Sequence, residues 1–89
     1  MNAIKILRWP EALERLGISE SSYRNGIADG TLPKPIHLCA RAVGLPEHEL
    51  NQVIRARIAG LPAAEIRKIV EQIHEERARI AAELIGGAA

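Results

Sequence analysis

Residues 17–44 read GISESSYRNGIADGTLPKPIHLCARAVG, and the fold turns on how this stretch is parsed. Gly17 is free to take positive φ and ends a preceding helix. Ile18 plugs the turn, and Ser19 is a good N-cap for a second helix. That helix is predicted to run to about Asp29, where Gly30 stops it. At 100° per residue, Tyr23, Gly26 and Ile27 fall toward one side. Ser21, Arg24, Asn25 and Ala28 fall toward the other. Gly26 inside the helix is expected to weaken it by about 1 kcal/mol against alanine. Pro33 and Pro35 rule out a further helix and suit an edge strand or a kinked lead-in. Ile36-His37-Leu38 and Ala42-Val43 are then read as a short hairpin, with Cys39-Ala40-Arg41 as its turn and Arg41 near the tip.

Outward from that stretch, helices dominate. Ile4, Ile6 and Leu7 form a short apolar lead-in. Pro10 fits a first helical turn, with Glu11 and Glu14 well placed for the helix dipole and Leu13 and Leu16 on its inner face. After Gly44, Pro46 opens a third helix with Leu50, Val53, Ile54 and Ile58 as its expected buried stripe. Gly60-Leu61-Pro62 breaks it, and a fourth amphipathic helix runs to about Ile85, ahead of a frayed GGAA tail. GLPEHEL and GLPAAEI echo each other as two similar helix starts, each expected to place proline in the first turn. The domains expected are 1–60, the unit holding the first three helices and the hairpin, and 61–89, an added amphipathic helix and tail.

The chain has 89 residues, one Trp, one Tyr and no Phe. Its core must therefore come from Leu, Ile, Val and Ala, which helices accept more readily than sheets do. Net charge is only +1, but it is unevenly spread. Up to Leu45 there are six bases and four acids; from Pro46 on there are six bases and seven acids. Between Gly30 and Leu45 stand Lys34, His37 and Arg41 with no acid, a local basic patch. A single cysteine, no apolar run of membrane-spanning length and no signal-peptide pattern at the N-terminus predict a soluble cytoplasmic protein with no membrane partner.

No catalytic set emerges. His37, His48 and His74 are scattered, and Cys39 has neither a paired cysteine nor metal-ligand spacing. The glycines make no phosphate-binding pattern. The expectation is a protein that is not an enzyme and needs no metal or cofactor.

Helix, tight turn, helix, basic hairpin and helix in that order are the layout of a small winged helix-turn-helix, mainly α, with an added C-terminal helix. Such a fold sets its second helix in a major groove of double-stranded DNA and its wing on the backbone or the adjacent minor groove. Ser21, Arg24 and Asn25 would read base edges, Arg and Asn being suited to guanine and adenine. Ser19 and Ser22 would bond phosphates at the helix N-terminus. Lys34, His37 and Arg41 would grip the backbone, or Arg41 would enter the minor groove. Each residue also has an ordinary role: Ser19 and Ser22 as cap residues, Arg24, Asn25 and Arg41 as a solvated surface. Their order along the chain favours DNA.

The run LRWPEALERLGIS (7–19), then DGTLPKPIHL (29–38) and ARAVG (40–44), resembles the AlpA-like phage and prophage regulators, a branch of the small excisionase-like, MerR-like winged-helix proteins. The resemblance extends to about Ile58. It implies a DNA-binding protein of a mobile genetic element. Such a protein activates integrase-related genes, or binds attachment-site DNA as a recombination directionality factor that favours excision. It places Ser21, Ser22, Arg24 and Asn25 on the recognition helix and Lys34 and Arg41 on the wing. The chain departs from the family at Glu20, where a basic residue is common, and at Gly26, usually bulky and apolar. Glu20 would repel phosphates, and Gly26 would loosen the reading helix.

The sequence expectation is thus an excisionase that bends attachment-site DNA and helps a separate recombinase. A promoter-bound transcription regulator is the alternative, and a helical protein-interaction module without DNA binding the second alternative. Ile66, Ile69, Val70, Ile73, Ile80 and Leu84 on the last helix are candidates for self-association on DNA, or for packing on their own domain. Glu76 and Glu83 stand where a coiled coil wants apolar residues, so a long zipper is not expected.

Overall fold

A computed structural model describes residues 4–86. The elements run β1 (Ile6–Arg8), α1 (Trp9–Leu16), α2 (Glu20–Asp29), β2 (Ile36–Cys39), β3 (Ala42–Pro46), α3 (Glu47–Ile58) and α4 (Ala63–Ile85). This is a winged helix-turn-helix with an added C-terminal helix. Residues 87–89 of the expected frayed tail lie outside the described residues.

The apolar lead-in is a strand. β1 pairs antiparallel with β3, Leu7 opposite Leu45 and Arg8 opposite Gly44, and β2 pairs with the other edge of β3. The sheet order is therefore β1-β3-β2, with β3 central. Three residues carry no usable alternation of their own, so only their partner defines them as a strand. Gly44 is needed where it stands: a Cβ there would lie 2.4 Å from the Leu7 carbonyl oxygen.

The hairpin differs in one detail from the sequence reading. Cys39 pairs with Ala42, so the turn is Ala40-Arg41 alone, and a bulge between His37 and Cys39 absorbs the change of register. Bulges of this kind add a residue and bend the strand locally.

Pro10 sits in the first turn of α1, and Gly17 closes it at φ 72°. Gly30 closes α2 at φ 84°. Both are left-handed positions that favour glycine. Pro46 and Pro62 stand one step earlier than expected, as N-caps of α3 and α4.

One core spans these elements: Leu7, Ala12, Tyr23, Leu32, Leu45, Leu50, Val53, Ala56, Ile66, Val70 and Ile73. It takes in residues on both sides of residue 60. One expected core position is corrected, and the α4 stripe divides in two. Ile58 is 80% exposed, because the buried side of α3 is Glu49, Leu50, Val53 and Ala56 and Ile58 is rotated away from it. On α4, Ile66, Val70 and Ile73 are buried within the chain, Ile69 packs at the edge, and Ile80 and Leu84 are exposed. The helix outruns the core, so the same stripe is covered in its first half and open in its second.

Two ion pairs brace the frame. The Arg77 guanidinium forks onto buried Glu49, Nε to Oε2 at 3.1 Å and Nη2 to Oε1 at 2.5 Å, joining α4 to α3. Arg15 joins α1 to Glu47 at the start of α3 at 2.8 Å.

Candidate nucleic-acid interface

The second helix is built at its start by Ser19. Its hydroxyl oxygen accepts from the Ser22 backbone N–H at 3.1 Å and donates to the Ser22 hydroxyl, also at 3.1 Å. Ser19 is thus the cap and Ser22 the residue it caps in the free protein, and both remain exposed.

Tyr23 anchors the middle of the helix. It is fully buried, its ring meets Trp9 edge-to-face at 4.8 Å, and its hydroxyl donates to the Pro33 carbonyl at 2.6 Å. Burial pushes the phenol far above its ordinary range, so it stays a donor. Gly26 is the other anchor. A Cβ there would lie 2.4 Å from Leu32 Cδ1 and 2.8 Å from its Cγ. The Gly26 carbonyl also accepts from the N–H groups of Thr31 and Leu32 at 2.9 and 3.2 Å. A side chain at Gly26 would collide with Leu32, so packing gives a reason for the glycine that helix propensity alone does not. Gly26 is the seat on which the chain folds back through Leu32 toward the wing.

The Asp29 side chain sets that reversal by accepting from the Thr31 N–H at 3.1 Å and the Thr31 hydroxyl at 2.6 Å. The Thr31 hydrogen bonds, opposed by desolvation, hold the Asp29 carboxyl below its usual range, with Arg67 and Arg57 helping. Arg67 of α4 donates from Nε to the Asp29 carbonyl at 2.9 Å. A cation there complements the negative end of the α2 dipole.

With Tyr23 and Gly26 inward, the outermost ridge of α2 is Ser21, Asn25 and Ala28, all exposed. Arg24 lies on one flank. Its Nε donates to Glu20 Oε2 at 3.1 Å, and a second guanidinium nitrogen reaches the same oxygen. The hydrogen bond and charge of Arg24 hold the Glu20 carboxyl low, with the Trp9 indole adding a little. Exposed pairs one helical turn apart are weak, so a stronger acceptor can displace Glu20. Ser22, Asn25 and Asp29 border a groove of about 600 Å³ against Leu16, Ile18, Arg57 and Leu61.

The wing residues are placed differently. Lys34 stands on the entry segment beside α2, tied there through Pro33. His37 is on β2, and Arg41 is at the tip of the hairpin. All three are exposed, and among the described residues neither Lys34 nor Arg41 is in an ion pair. Arg67 was not singled out from the sequence. Its partner is 38 residues away, and no local pattern signals it. Among the described residues there is no cluster of three His, Cys, Asp or Glu able to hold a metal ion, and no helix long and apolar enough to cross a membrane.

Two helices joined by a tight turn, followed by a short hairpin and a third helix, define the class: a small winged helix-turn-helix. Residues 5–58 match the family model described as prophage CP4-57 regulatory protein (AlpA). That is more than half of the chain, and the chain belongs to this family. No curated protein and no solved structure matches it. The helix α4 lies beyond the matched segment.

Proposed function

We propose that the chain is a sequence-specific DNA-binding regulator of a mobile genetic element, with no chemistry of its own. The observation that carries this is the pairing of a rigidly seated α2 with a wing whose cations are unpaired, in a chain of a prophage regulatory family. Ser21 and Asn25 would read base edges in the major groove, joined by Arg24 once it leaves Glu20. Ser19 and Ser22 would meet phosphates at the start of the helix. Lys34, His37 and Arg41 would hold the backbone, with Arg41 at the tip best placed for the minor groove.

Action at a promoter is the reading the family description favours. A second reading, binding of attachment-site DNA as an excisionase alongside a separate recombinase, is favoured by the open half of α4. There Ile80 and Leu84 could link neighbouring copies, and linked copies gain apparent affinity without new base contacts. Footprinting of host DNA fragments enriched on the purified protein decides between them. A footprint upstream of a gene start supports the regulator. Several phased footprints at the end of an integrated element support the excisionase. No enrichment contradicts both and returns attention to a helical protein-interaction role.

A further inference from the structure

The segment Pro33-Lys34-Pro35 has a single backbone N–H, because proline nitrogen carries none. That N–H, of Lys34, donates to His74 Nε2 at 3.1 Å. The carbonyl of the same peptide group, on Pro33, accepts the Tyr23 hydroxyl at 2.6 Å. One peptide plane is thus held at both edges, by the recognition helix on one side and by α4 on the other. Through this plane the chain passes from α2 into the wing, and Lys34 is itself one of the wing cations. We infer that His74 is a positioning residue whose neutral imidazole fixes the wing against the recognition helix, and whose protonation releases the wing and weakens the hold on DNA. Only the last step rests on the DNA-binding reading. His74 lies outside the segment shared with the family, so the device is carried by the added helix.

The bond has a defined protonation requirement. Nε2 accepts only while it has its lone pair, which makes the tautomer Nδ1–H; an imidazolium has donors alone. Protonation would set two N–H groups face to face and leave Lys34 N–H without its partner. The groups around the ring come from every neighbouring element: Arg77 on α4, Lys34 on the wing entry, Glu49 on α3 and, across the peptide, Tyr23 on α2. Partial burial, then Arg77 and Lys34, hold the imidazole below its ordinary value of 6.5, while Glu49 pulls the other way. Arg77 cannot swing away freely, because it is forked onto Glu49. The neutral acceptor is therefore the resting form at neutral pH, and the switch lies on the acid side.

The test follows backbone amide resonances of the free protein from pH 8 to 5, for wild type and His74→Gln. Glutamine offers an oxygen acceptor at a similar reach and does not titrate. The Lys34 amide is expected to shift, and its protection relative to the intrinsic exchange rate at each pH to fall, as His74 protonates, with one midpoint for both. In His74→Gln the Lys34 resonance should stay flat. A Lys34 amide indifferent to His74 overturns the inference, whatever happens with DNA. A parallel binding series at pH 7.5 and 5.5 reads the consequence. Wild type should lose about threefold to tenfold in affinity, the worth of one hydrogen bond, relative to His74→Gln. Every other group is common to both proteins, so the difference isolates His74. Equal pH profiles overturn the link from wing to affinity. Failure of both proteins to bind DNA at any pH overturns the DNA-binding reading, while the Lys34 amide still decides the positioning claim.

Discussion

The recognition helix and the wing are built on opposite plans. α2 is seated by a fully buried tyrosine, by a glycine beneath Leu32 and by caps at both ends. Its outward side chains are short, and its one arginine is already engaged by Glu20. In the outer strand of the wing, Ile36 is half-buried and His37, Leu38 and Cys39 are exposed; the cations Lys34 and Arg41 are long and unpaired. Short groups on a fixed helix give little reach but a defined register against bases. Long cations at the entry and tip of a hairpin are suited, on the proposed reading, to adapt to a phosphate backbone. On the proposed DNA-binding reading, specificity and affinity fall to different elements, joined at the Pro33–Lys34 peptide.

Substitutions that touch each plan separately sharpen this contrast. The largest effect is expected from Gly44→Ala in the central strand. The new methyl would meet the Leu7 carbonyl, which belongs to the backbone and cannot rotate away. A loss of about 3 kcal/mol in denaturant unfolding is expected. Next comes Gly26→Ala. Helix propensity alone predicts a gain of about 1 kcal/mol, but the crowding of buried Leu32 should reverse the sign and cost about 1–2 kcal/mol net. A gain in stability at Gly26 would break the claim that α2 is rigidly seated.

Asn25→Ala should leave stability almost unchanged, since the residue is exposed, yet reduce discrimination between target and non-target DNA by about 1–2 kcal/mol. Unchanged discrimination would move the reading face away from the outer ridge. The smallest effect is expected from Glu20→Gln. It removes a charge that repels phosphates and frees Arg24, so binding should tighten by about twofold to fivefold at low salt. Weaker binding in Glu20→Gln would show that the Glu20–Arg24 pair orients the arginine for DNA rather than occupying it.

Much of this architecture was legible in the chain itself. Pro10, Gly17, Ser19 and Gly30 bracket two helices because each does a local job that few other residues do as well. Pro33 and Pro35 forbid helix where the wing begins, and the stripe from Ile66 onward marks α4. Long-range partners were not legible. β1 exists only because β3 lies beside it. Gly26 has the character of a flaw in a helix until Leu32, six residues on, is seen to occupy the space. Ile58 follows the apolar pattern but not the angular position of its neighbours. Arg67 and His74 act on backbone atoms 38 and 40 residues away, where no spacing rule applies. At the candidate site, the polar ridge and the wing cations could be read from periodicity and charge. The engagement of Arg24 by Glu20, although one turn apart, was not foreseen, because the acid was weighed only against phosphate.

The most direct test of the central claim is the salt dependence of DNA binding by wild type and by the Lys34→Ala/Arg41→Ala double variant, on the same enriched fragment. The wild-type affinity should fall steeply as salt rises. The double variant should bind more weakly, with a log–log slope shallower by roughly two units, one for each phosphate no longer neutralised. Salt-insensitive binding by wild type, or an identical slope in the double variant, would contradict the assignment of the wing to the DNA backbone.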